Sequence, residues 1–398
     1  MDPRVRKRWF NVVRITLCAA ALAVVVQGVT LRDHVVLREG GEHLVGTVVR
    51  EDGPVTVRTR EGALRSVPRA DVAVDPRGEP RIEYGLRTAW HRSEKWLLFL
   101  AVAIHFPVVL PQSLRLQWML RAQDVRVHYW ECLKLSFAGN FLNFATPLGS
   151  HLGDVFKAYF VSQHTERKTE AATTVFLDRL VGLGSLLLVV ALITTLSPSD
   201  SHLASFRPYM LGMFGAGVAG AMAYLSATLR RHLLPRAWLE RLPMIGQLQR
   251  IDRTARVLAR RKATLLAAVL LTVVLQAVAI GAYFTVAVAL ALDAGWGNVL
   301  EYYTYFYTGV LVQALPGPPQ GLGTVELAYS YFLAPFGSPS QIVCVALAIR
   351  LVALTCALPG LLVTLTGSYR PRDIVRLNEA DLAAALPPSD AGRELPIG

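Results

Sequence analysis

Two short stretches rich in proline and glycine interrupt long apolar sequence, and they constrain the fold most strongly. The first is TPLGSHLGD at residues 146–154, the second is LPGPPQGLGTVE at residues 315–326, and each ends on an acidic residue. Irregular backbone inside a bilayer is tolerated only where other protein buries it or where it lines a wet cavity. Paired interruptions in the two halves of a chain are typical of a transport-type binding site. We therefore predict a polytopic membrane protein with a central polar site.

The composition supports a membrane protein and argues against a nucleic-acid-binding protein. Hydrophobic residues make up 53% of the 398 residues, and several apolar runs exceed the ~18 residues that a spanning helix needs. The net charge is +12, but Lys and Arg lie mostly between the apolar runs, where they set membrane orientation. The four cysteines lack metal-site or disulfide spacing. We expect no nucleic-acid partner, no metal and no cofactor.

The apolar runs predict an all-α fold with about six transmembrane helices. The predicted spans are residues 15–31, 96–120, 171–196, 208–229, 263–292 and 341–366. Pro107 and Pro111 are expected to kink the second span. The first run could instead be a cleaved signal peptide, but residues 24–27 give a poor cleavage site, which favours a retained anchor.

Residues 32–95 differ from the rest of the sequence. They contain short runs in which apolar and polar residues alternate, separated by residues typical of turns, and this pattern predicts β-strands. We expect a small extracytoplasmic β-rich insert of three to five strands. The predicted domains are then an N-terminal transmembrane anchor (1–31), the insert (32–95), a helical membrane domain (96–367) and a short cytoplasmic tail (368–398).

The distribution of basic residues predicts the orientation. Residues 230–262 contain ten Lys or Arg, whereas the linkers 197–207 and 293–301 contain one between them. The positive-inside rule places both termini in the cytoplasm, in a cell membrane. The interrupted stretches then belong to two re-entrant hairpins, 130–160 and 302–335, which enter from opposite faces as an inverted pseudo-repeat. In an alternative that stays open, each of the two arms of both hairpins crosses the bilayer. The chain would then have ten spans, and both termini would still lie in the cytoplasm.

Three motifs resemble the lysylphosphatidylglycerol synthase membrane-region family, also called flippase-like proteins. They are Gly153-Asp154 with Lys157, Ala158 and Tyr159; Asp178-Arg179 with Gly182; and Gly321, Gly323 and Glu326, with Arg350 in the last span. The resemblance covers about residues 96–367. Three features depart from the family: Leu152 stands where the family has a first glycine, Lys157 replaces an arginine, and the β insert is not usual.

The resemblance implies a lipid-linked substrate and movement of an aminoacylated, glycosylated or polyprenyl-phosphate lipid across the bilayer. It does not imply aminoacyl transfer, because in the bifunctional members an added soluble domain carries that activity, and this sequence shows none. Eight residues are candidates for substrate binding: Asp154, Lys157, Arg179, Glu326, Arg350, Gly153, Gly321 and Gly323.

Each candidate also has a purely structural interpretation. Asp154 and Glu326 could cap helices, and Arg179 could extend to the membrane interface beside Asp178. Arg350 lies about ten residues into an apolar span, where an ionisable group costs at least ~2.5 kcal/mol unless it is paired or wet. We expect Arg350 to pair with Glu326 or another acid.

Two weaker features are expected to be structural. His105 is predicted to be a core histidine with satisfied hydrogen bonds. Four tyrosines are predicted to form a lipid-interface belt: Tyr302, Tyr303, Tyr305 and Tyr307.

The function predicted from the sequence is binding and transport of a membrane lipid, without enzyme activity. One alternative is an integral-membrane lipid-modifying enzyme that uses Asp154 or Glu326 as a general base. Another is a non-transporting receptor or assembly subunit that docks through the insert. The sequence leaves open a homodimer and an extracytoplasmic partner that binds the insert.

Overall fold

The computed structural model describes most of the region between the predicted anchor and the predicted tail. The described residues are 32–38, 43–51, 53–59, 61–74, 82–145, 152–163, 165–196, 205, 207–225, 245–292, 294–314 and 319–366. The predicted anchor (1–31), the predicted tail (368–398) and most of the first interrupted stretch lie outside these residues.

A five-stranded antiparallel sheet precedes the helices. Its strands pair in the order β4-β3-β2-β1-β5 and are β1 Asp33–Val36, β2 His43–Arg50, β3 Val55–Arg58, β4 Leu64–Val67 and β5 Ile82–Glu83. Strand β2 alternates exposed and buried residues, so one face of the sheet forms a small core with Val35, Val55 and Val57. Strands β2 to β4 coincide with the alternating runs in the sequence. Strand β1 lies outside the alternating runs, and strand β5, with two residues, is too short for alternation to identify it.

Asp33 connects this sheet to the helical part. Its buried carboxylate accepts hydrogen bonds from the backbone N–H of Val48 (2.7 Å), the backbone N–H of Gly85 (2.8 Å) and the hydroxyl of Thr88 (3.0 Å). Gly85 and Thr88 lie at the start of the first helix, Leu86–Arg92. A buried carboxylate is tolerated when several donors satisfy it, so these hydrogen bonds fix the sheet against the helices.

The remainder of the described chain is helical. The helices are α1 Leu86–Arg92, α2 Lys95–His105, α3 Val109–Arg121, α4 Tyr129–Ala145, α5 Leu152–Gln163, α6 Lys168–Leu196, α7 Arg207–Leu225, α8 Ile245–Arg260, α9 Lys262–Ala289, α10 Val299–Ala314, α11 Thr324–Phe332, α12 Pro339–Ala357 and α13 Pro359–Thr366. A 3-10 turn at Phe106–Val108, which contains Pro107, joins α2 to α3 at the predicted kink.

Four segments among the described residues are long and apolar enough to cross a membrane. They are Lys95–Arg121, Lys168–Leu196, Lys262–Ala289 and Pro339–Ala357. Each coincides with a predicted span. The predicted span 208–229 corresponds to α7, which is not one of these four, and the predicted span 15–31 lies outside the described residues.

Helix α9 shows why these segments suit lipid rather than water. Leu266, Leu270, Val274 and Val278 form an apolar stripe that faces outward, with exposed fractions of 41–60%. The opposite side of α9 is buried against other helices, including α2, α3 and α6. A long helix that is apolar on all sides requires a bilayer or a large protein core around it.

Both interrupted stretches separate two packed helices. The first hairpin is α4 and α5, and the second is α10 and α11. At ~1.5 Å per residue, α5 is roughly 18 Å and α11 roughly 14 Å long, well short of the ~30 Å hydrocarbon core. In each hairpin a glycine of the first arm allows close contact: a Cβ on Gly309 would lie 2.3 Å from the ring of Tyr329, and one on Gly139 would lie 2.9 Å from the carbonyl oxygen of Gly153.

The tyrosines of α10 do not form a lipid-facing belt, so that prediction is wrong. Tyr302, Tyr305 and Tyr307 are at most 3% exposed and belong to the main apolar core, together with Phe306. Helix α10 is the first arm of a hairpin and packs against α6, α9 and α11, so most of its surface contacts protein.

Candidate functional site

The ends of the two hairpins contact each other. The side-chain amide of Gln320 donates a hydrogen bond to the backbone carbonyl of Asn143 (2.8 Å), at the end of α4. The amide oxygen of Gln320 accepts a hydrogen bond from Gln313, at the end of α10. Gln320 has a left-handed backbone (φ 54°), which is uncommon for a residue other than glycine, and these two hydrogen bonds stabilise its side chain.

Glu326 and Arg350 stabilise the second of these ends. Arg350 Nε lies 2.7 Å from Glu326 Oε1, and Arg350 Nη1 donates to the backbone carbonyl of Gln320 (2.9 Å). The other carboxylate oxygen of Glu326 accepts from the backbone N–H of Gly323 (2.7 Å), at the start of α11. The predicted pairing of Arg350 with Glu326 is therefore confirmed. Glu326 is only 4% exposed, and its carboxylate also caps α11.

A cavity of about 390 Å³ lies beside the contact between the two hairpins. Five charged side chains line it: Arg115, Asp154, Lys157, Asp178 and Arg179. Uncharged polar side chains complete much of its wall, among them Gln112, Asn140, Asn143, Gln276, Gln313 and Gln320. Glu326, Gly153, Gly321 and Gly323 do not line this cavity, and Arg350 lines a smaller neighbouring cavity of about 30 Å³. The structure thus brings three of the eight candidates together in this charged cavity: Asp154, Lys157 and Arg179.

Asp154 is shared by two cations. One carboxylate oxygen contacts Arg179 Nη1, and the other lies 3.8 Å from Lys157 Nζ. Asp154 lies in the first turn of α5, where the helix dipole stabilises a negative charge. Arg179 therefore pairs across two helices with Asp154, not with the neighbouring Asp178.

Asp178 pairs instead with Arg115, a residue outside the three sequence motifs. The guanidinium makes two parallel contacts with the carboxylate, at 2.7 and 2.8 Å, and its Nη1 donates to the hydroxyl of Thr272 (2.7 Å). A signal for Arg115 was present in the sequence, because a charged residue inside an apolar span is functional or paired by default. Its partner lies 63 residues away, and no local pattern indicates such a pairing.

The charge balance of the cavity is positive. Three cations, Arg115, Lys157 and Arg179, face two carboxylates, Asp154 and Asp178. Because the side chain of Lys157 is 8% exposed, water screens its charge weakly. The cavity therefore favours an anionic group.

Gly153 positions the charged residues rather than lining the cavity. Its N–H donates to the side-chain oxygen of Asn143 (2.8 Å), and a Cβ at this position would lie 2.0 Å from the carbonyl oxygen of Gly139. A Cβ on Gly139 would in turn lie 2.5 Å from Lys157 Cε. The two glycines allow α5 to approach α4 closely enough to bring Asp154 and Lys157 to the cavity.

His105 also lines the cavity, contrary to the prediction of a satisfied core histidine. Its ring stacks on Tyr283, with ring centres 5.5 Å apart, and its buried Nδ1 has no hydrogen-bond partner among the described residues. His105 lies directly before the 3-10 turn that contains Pro107, and the apolar residues around it in the sequence did not indicate a position at the cavity wall. Within the described ranges, no cluster of three His, Cys, Asp or Glu side chains could bind a metal ion.

Comparison with known proteins gives one match. The family model described as "Lysylphosphatidylglycerol synthase TM region" matches residues 85–360, more than two thirds of the chain. The matched range begins after the five-stranded sheet and includes both hairpins and all five charged residues of the cavity. No curated protein and no solved structure matches the chain.

Proposed function

This chain belongs to the lysylphosphatidylglycerol synthase transmembrane-region family, and we propose that it binds the phosphate-bearing headgroup of a membrane lipid and moves it across the bilayer. The family and the four apolar segments make it a multi-pass membrane protein. The observation that carries the proposal is the positively charged cavity beside the contact between two interrupted hairpins.

The cavity residues fit a lipid phosphate. The planar guanidinium of Arg179 suits a phosphate with two parallel hydrogen bonds, and Lys157 supplies a second cation one turn from Asp154. Because these two cations share one carboxylate, a phosphate could replace Asp154 as their partner. Asp154, whose side chain is 24% exposed, would then face the open cavity. Asp154 would re-pair with both cations when the lipid leaves.

We further propose that both hairpins are re-entrant and enter the membrane from opposite faces. Arms as short as α5 and α11 support re-entrance, because neither could cross the ~30 Å hydrocarbon core. The basic residues between α7 and α9 support cytoplasmic termini in a cell membrane, with the five-stranded sheet outside. Headgroups would then pass between the hairpins while the acyl chains remain in the bilayer.

A reconstituted transport assay tests the proposal. Purified protein in vesicles should increase the rate at which headgroup-labelled phospholipids reach a membrane-impermeant quencher. Arg179→Gln should reduce this rate by about tenfold or more, because a charge-assisted hydrogen bond contributes ~1.5–3 kcal/mol. Arg126→Gln, which alters an exposed cation outside the cavity, is the matched control and should transport at the wild-type rate.

The same vesicles separate transport from the alternatives. If the protein were a lipid-modifying enzyme, mass spectrometry would detect a chemically altered lipid, and Asp154→Asn would abolish it. If the protein were a receptor or assembly subunit, neither the sidedness nor the chemistry of the lipids would change. Unchanged sidedness for every phospholipid tested would contradict the proposed function.

A further inference from the structure

Two residues of the cavity wall each have a buried polar atom without a hydrogen-bond partner in the described part of the chain. Among the described residues, neither His105 Nδ1 nor Gln276 Oε1 has a hydrogen-bond partner. The amide nitrogen of Gln276 already donates to the backbone carbonyl of Gly182 (2.9 Å), which fixes the side chain and leaves its oxygen unsatisfied. Buried polar atoms without a partner are uncommon and costly, so a ligand that supplies donors would be stabilised here.

The surroundings of His105 favour Nδ1 as an acceptor. The ring lies close to the backbone of Ala279 in α9. The N–H of Ala279 is part of the helical hydrogen-bond ladder, so the group available to the ring is its carbonyl oxygen. A proton on Nε2 suits this neighbour, and in that neutral imidazole Nδ1 accepts. Stacking on Tyr283 fixes the plane of the ring.

The two acceptors lie next to the charged part of the same cavity. Gln276, Ala279 and Tyr283 follow one another on one face of α9 at intervals of about one turn. Gly182, which contacts Gln276, lies one turn beyond Arg179 on α6, roughly 4–5 Å along the helix axis. A headgroup with its phosphate at Arg179 and Lys157 would extend its outer end toward Gln276 and His105.

We propose that His105 and Gln276 form a specificity subsite that selects lipid headgroups with N–H or O–H donors beyond the phosphate. This subsite favours a primary ammonium or glycerol hydroxyls over a quaternary ammonium, which has the same positive charge but no donor. The inference rests on the proposed lipid-binding function and names the headgroup chemistry that this function requires. It assigns the two residues to recognition of the headgroup and leaves the phosphate to Arg179 and Lys157.

Paired lipids test the proposal on the purified full-length protein. Phosphatidylethanolamine and phosphatidylcholine differ only in the N-methylation that removes the donors. Phosphatidylglycerol and phosphatidylpropanol are both monoanionic phosphodiesters and differ in the two glycerol hydroxyls. We expect wild-type protein to bind the donor-bearing member of each pair about tenfold more tightly, since one satisfied buried acceptor corresponds to roughly that factor. Native mass spectrometry of lipid complexes measures the ratio directly.

Two substitutions at Gln276 separate recognition from structure. Gln276→Met and Gln276→Glu both remove the hydrogen bond to Gly182, but only Gln276→Glu retains an acceptor. Gln276→Met should reduce the ethanolamine-to-choline binding ratio to near one, whereas Gln276→Glu should keep or increase it. His105→Phe, which retains a ring next to Tyr283, should reduce the ratio as well, and His91→Phe on an exposed part of α1 should not.

Failure of the subsite and failure of the proposed function give different results. If wild-type protein binds all four lipids equally, or if the Gln276→Met and His105→Phe proteins retain the wild-type ratio, water alone occupies the acceptors and the subsite is wrong. If no phospholipid binds and Arg179→Gln changes nothing, the proposed function itself is wrong. If Gln276→Glu reduces the ratio as much as Gln276→Met does, the role of Gln276 is to stabilise α6, which also contradicts the subsite.

Discussion

Three carboxylates in the helical part, those of Glu326, Asp178 and Asp154, each contact more than one donor group. The role of these contacts differs among the three residues. Glu326 contacts Arg350 and the backbone N–H of Gly323, so both its oxygens are used within the protein. Asp178 is likewise occupied by the two parallel contacts from Arg115. Asp154, which lines the cavity together with Asp178, is different because two separate cations, Lys157 and Arg179, share its carboxylate. Exchange with a ligand is therefore expected at Asp154 and not at Glu326.

Glu326→Gln should destabilise the protein strongly. It would leave the guanidinium of Arg350 buried without its charge partner, a change that typically lowers the free energy of unfolding by ~3–5 kcal/mol. Thermal unfolding in detergent would measure the loss. Glu131→Gln removes an ion pair with Lys134, whose side chain is 52% exposed, and should change stability by less than ~1 kcal/mol. Equal effects of the two substitutions would contradict the structural role of Glu326.

A double variant, Arg350→Met with Glu326→Leu, should separate the effect of this ion pair on stability from its effect on transport. Replacing both members of a buried ion pair with apolar residues of similar size is often neutral or stabilising, so the double variant should recover most of the lost stability. Lipid transport should remain low, since Gln320 would lose its contact with Arg350 and the end of the second hairpin would be free to move. Full transport by the double variant would show that the end of this hairpin does not need Arg350.

At the scale of helices, close glycine contacts determine where the cavity residues lie. Gly153 allows α5 to cross α4 with its backbone against Gly139, and Gly309 allows Tyr329 of α11 to pack on α10. The proline and glycine residues in the sequence indicated where the helices on either side of each interrupted stretch end and begin, because helix breakers act locally on the backbone. It did not predict the contacts between helices, such as Arg115 with Asp178 or Gln320 with Asn143, because those depend on packing between distant segments.

Gly153→Ala should separate the arms of the first hairpin. Its added Cβ would lie 2.0 Å from the carbonyl oxygen of Gly139, and overpacking of this kind costs ~1–3 kcal/mol. Both the unfolding temperature and the transport rate should fall, because Asp154 and Lys157 would shift with α5. Gly184→Ala on α6 has no atom within 4 Å of the added Cβ, so it should be neutral or stabilising by about 0.5–1 kcal/mol. A Gly153→Ala protein as stable and active as Gly184→Ala would contradict the close packing.

At the scale of the whole molecule, a sheet and a helical membrane part are joined through Asp33. The family match begins at residue 85, directly after the sheet, so the sheet is an addition to the region that the family model covers. The sequence indicated the strands and the helical region because alternation and apolar runs are local patterns. The hydrogen bonds of Asp33 to Val48, Gly85 and Thr88 span up to 55 residues and could not be read from any such pattern.

Asp33→Ala should loosen the sheet without altering the cavity. Three buried donors would lose their acceptor, and we expect a loss of at least ~1–3 kcal/mol in the stability of the sheet. Limited proteolysis should then cleave residues 33–83 faster, while lipid binding persists. Asp71→Ala, at an exposed position of the same segment, should leave the cleavage rate unchanged. Loss of lipid binding in Asp33→Ala at full stability would mean that the sheet takes part in binding.

Transport of a headgroup requires that water reach the charged cavity within the membrane part of the protein, and thiol labelling measures this access. In a chain whose native cysteines (Cys18, Cys132, Cys344 and Cys356) are replaced by alanine, Asn140→Cys introduces a thiol at the cavity wall. Leu351→Cys introduces one on the outer surface of α12, at an apolar side chain that is 51% exposed. In intact membranes we predict that a water-soluble maleimide modifies the Asn140→Cys protein rapidly and the Leu351→Cys protein slowly. Equal labelling of the two proteins, or no labelling of Asn140→Cys, would contradict the account.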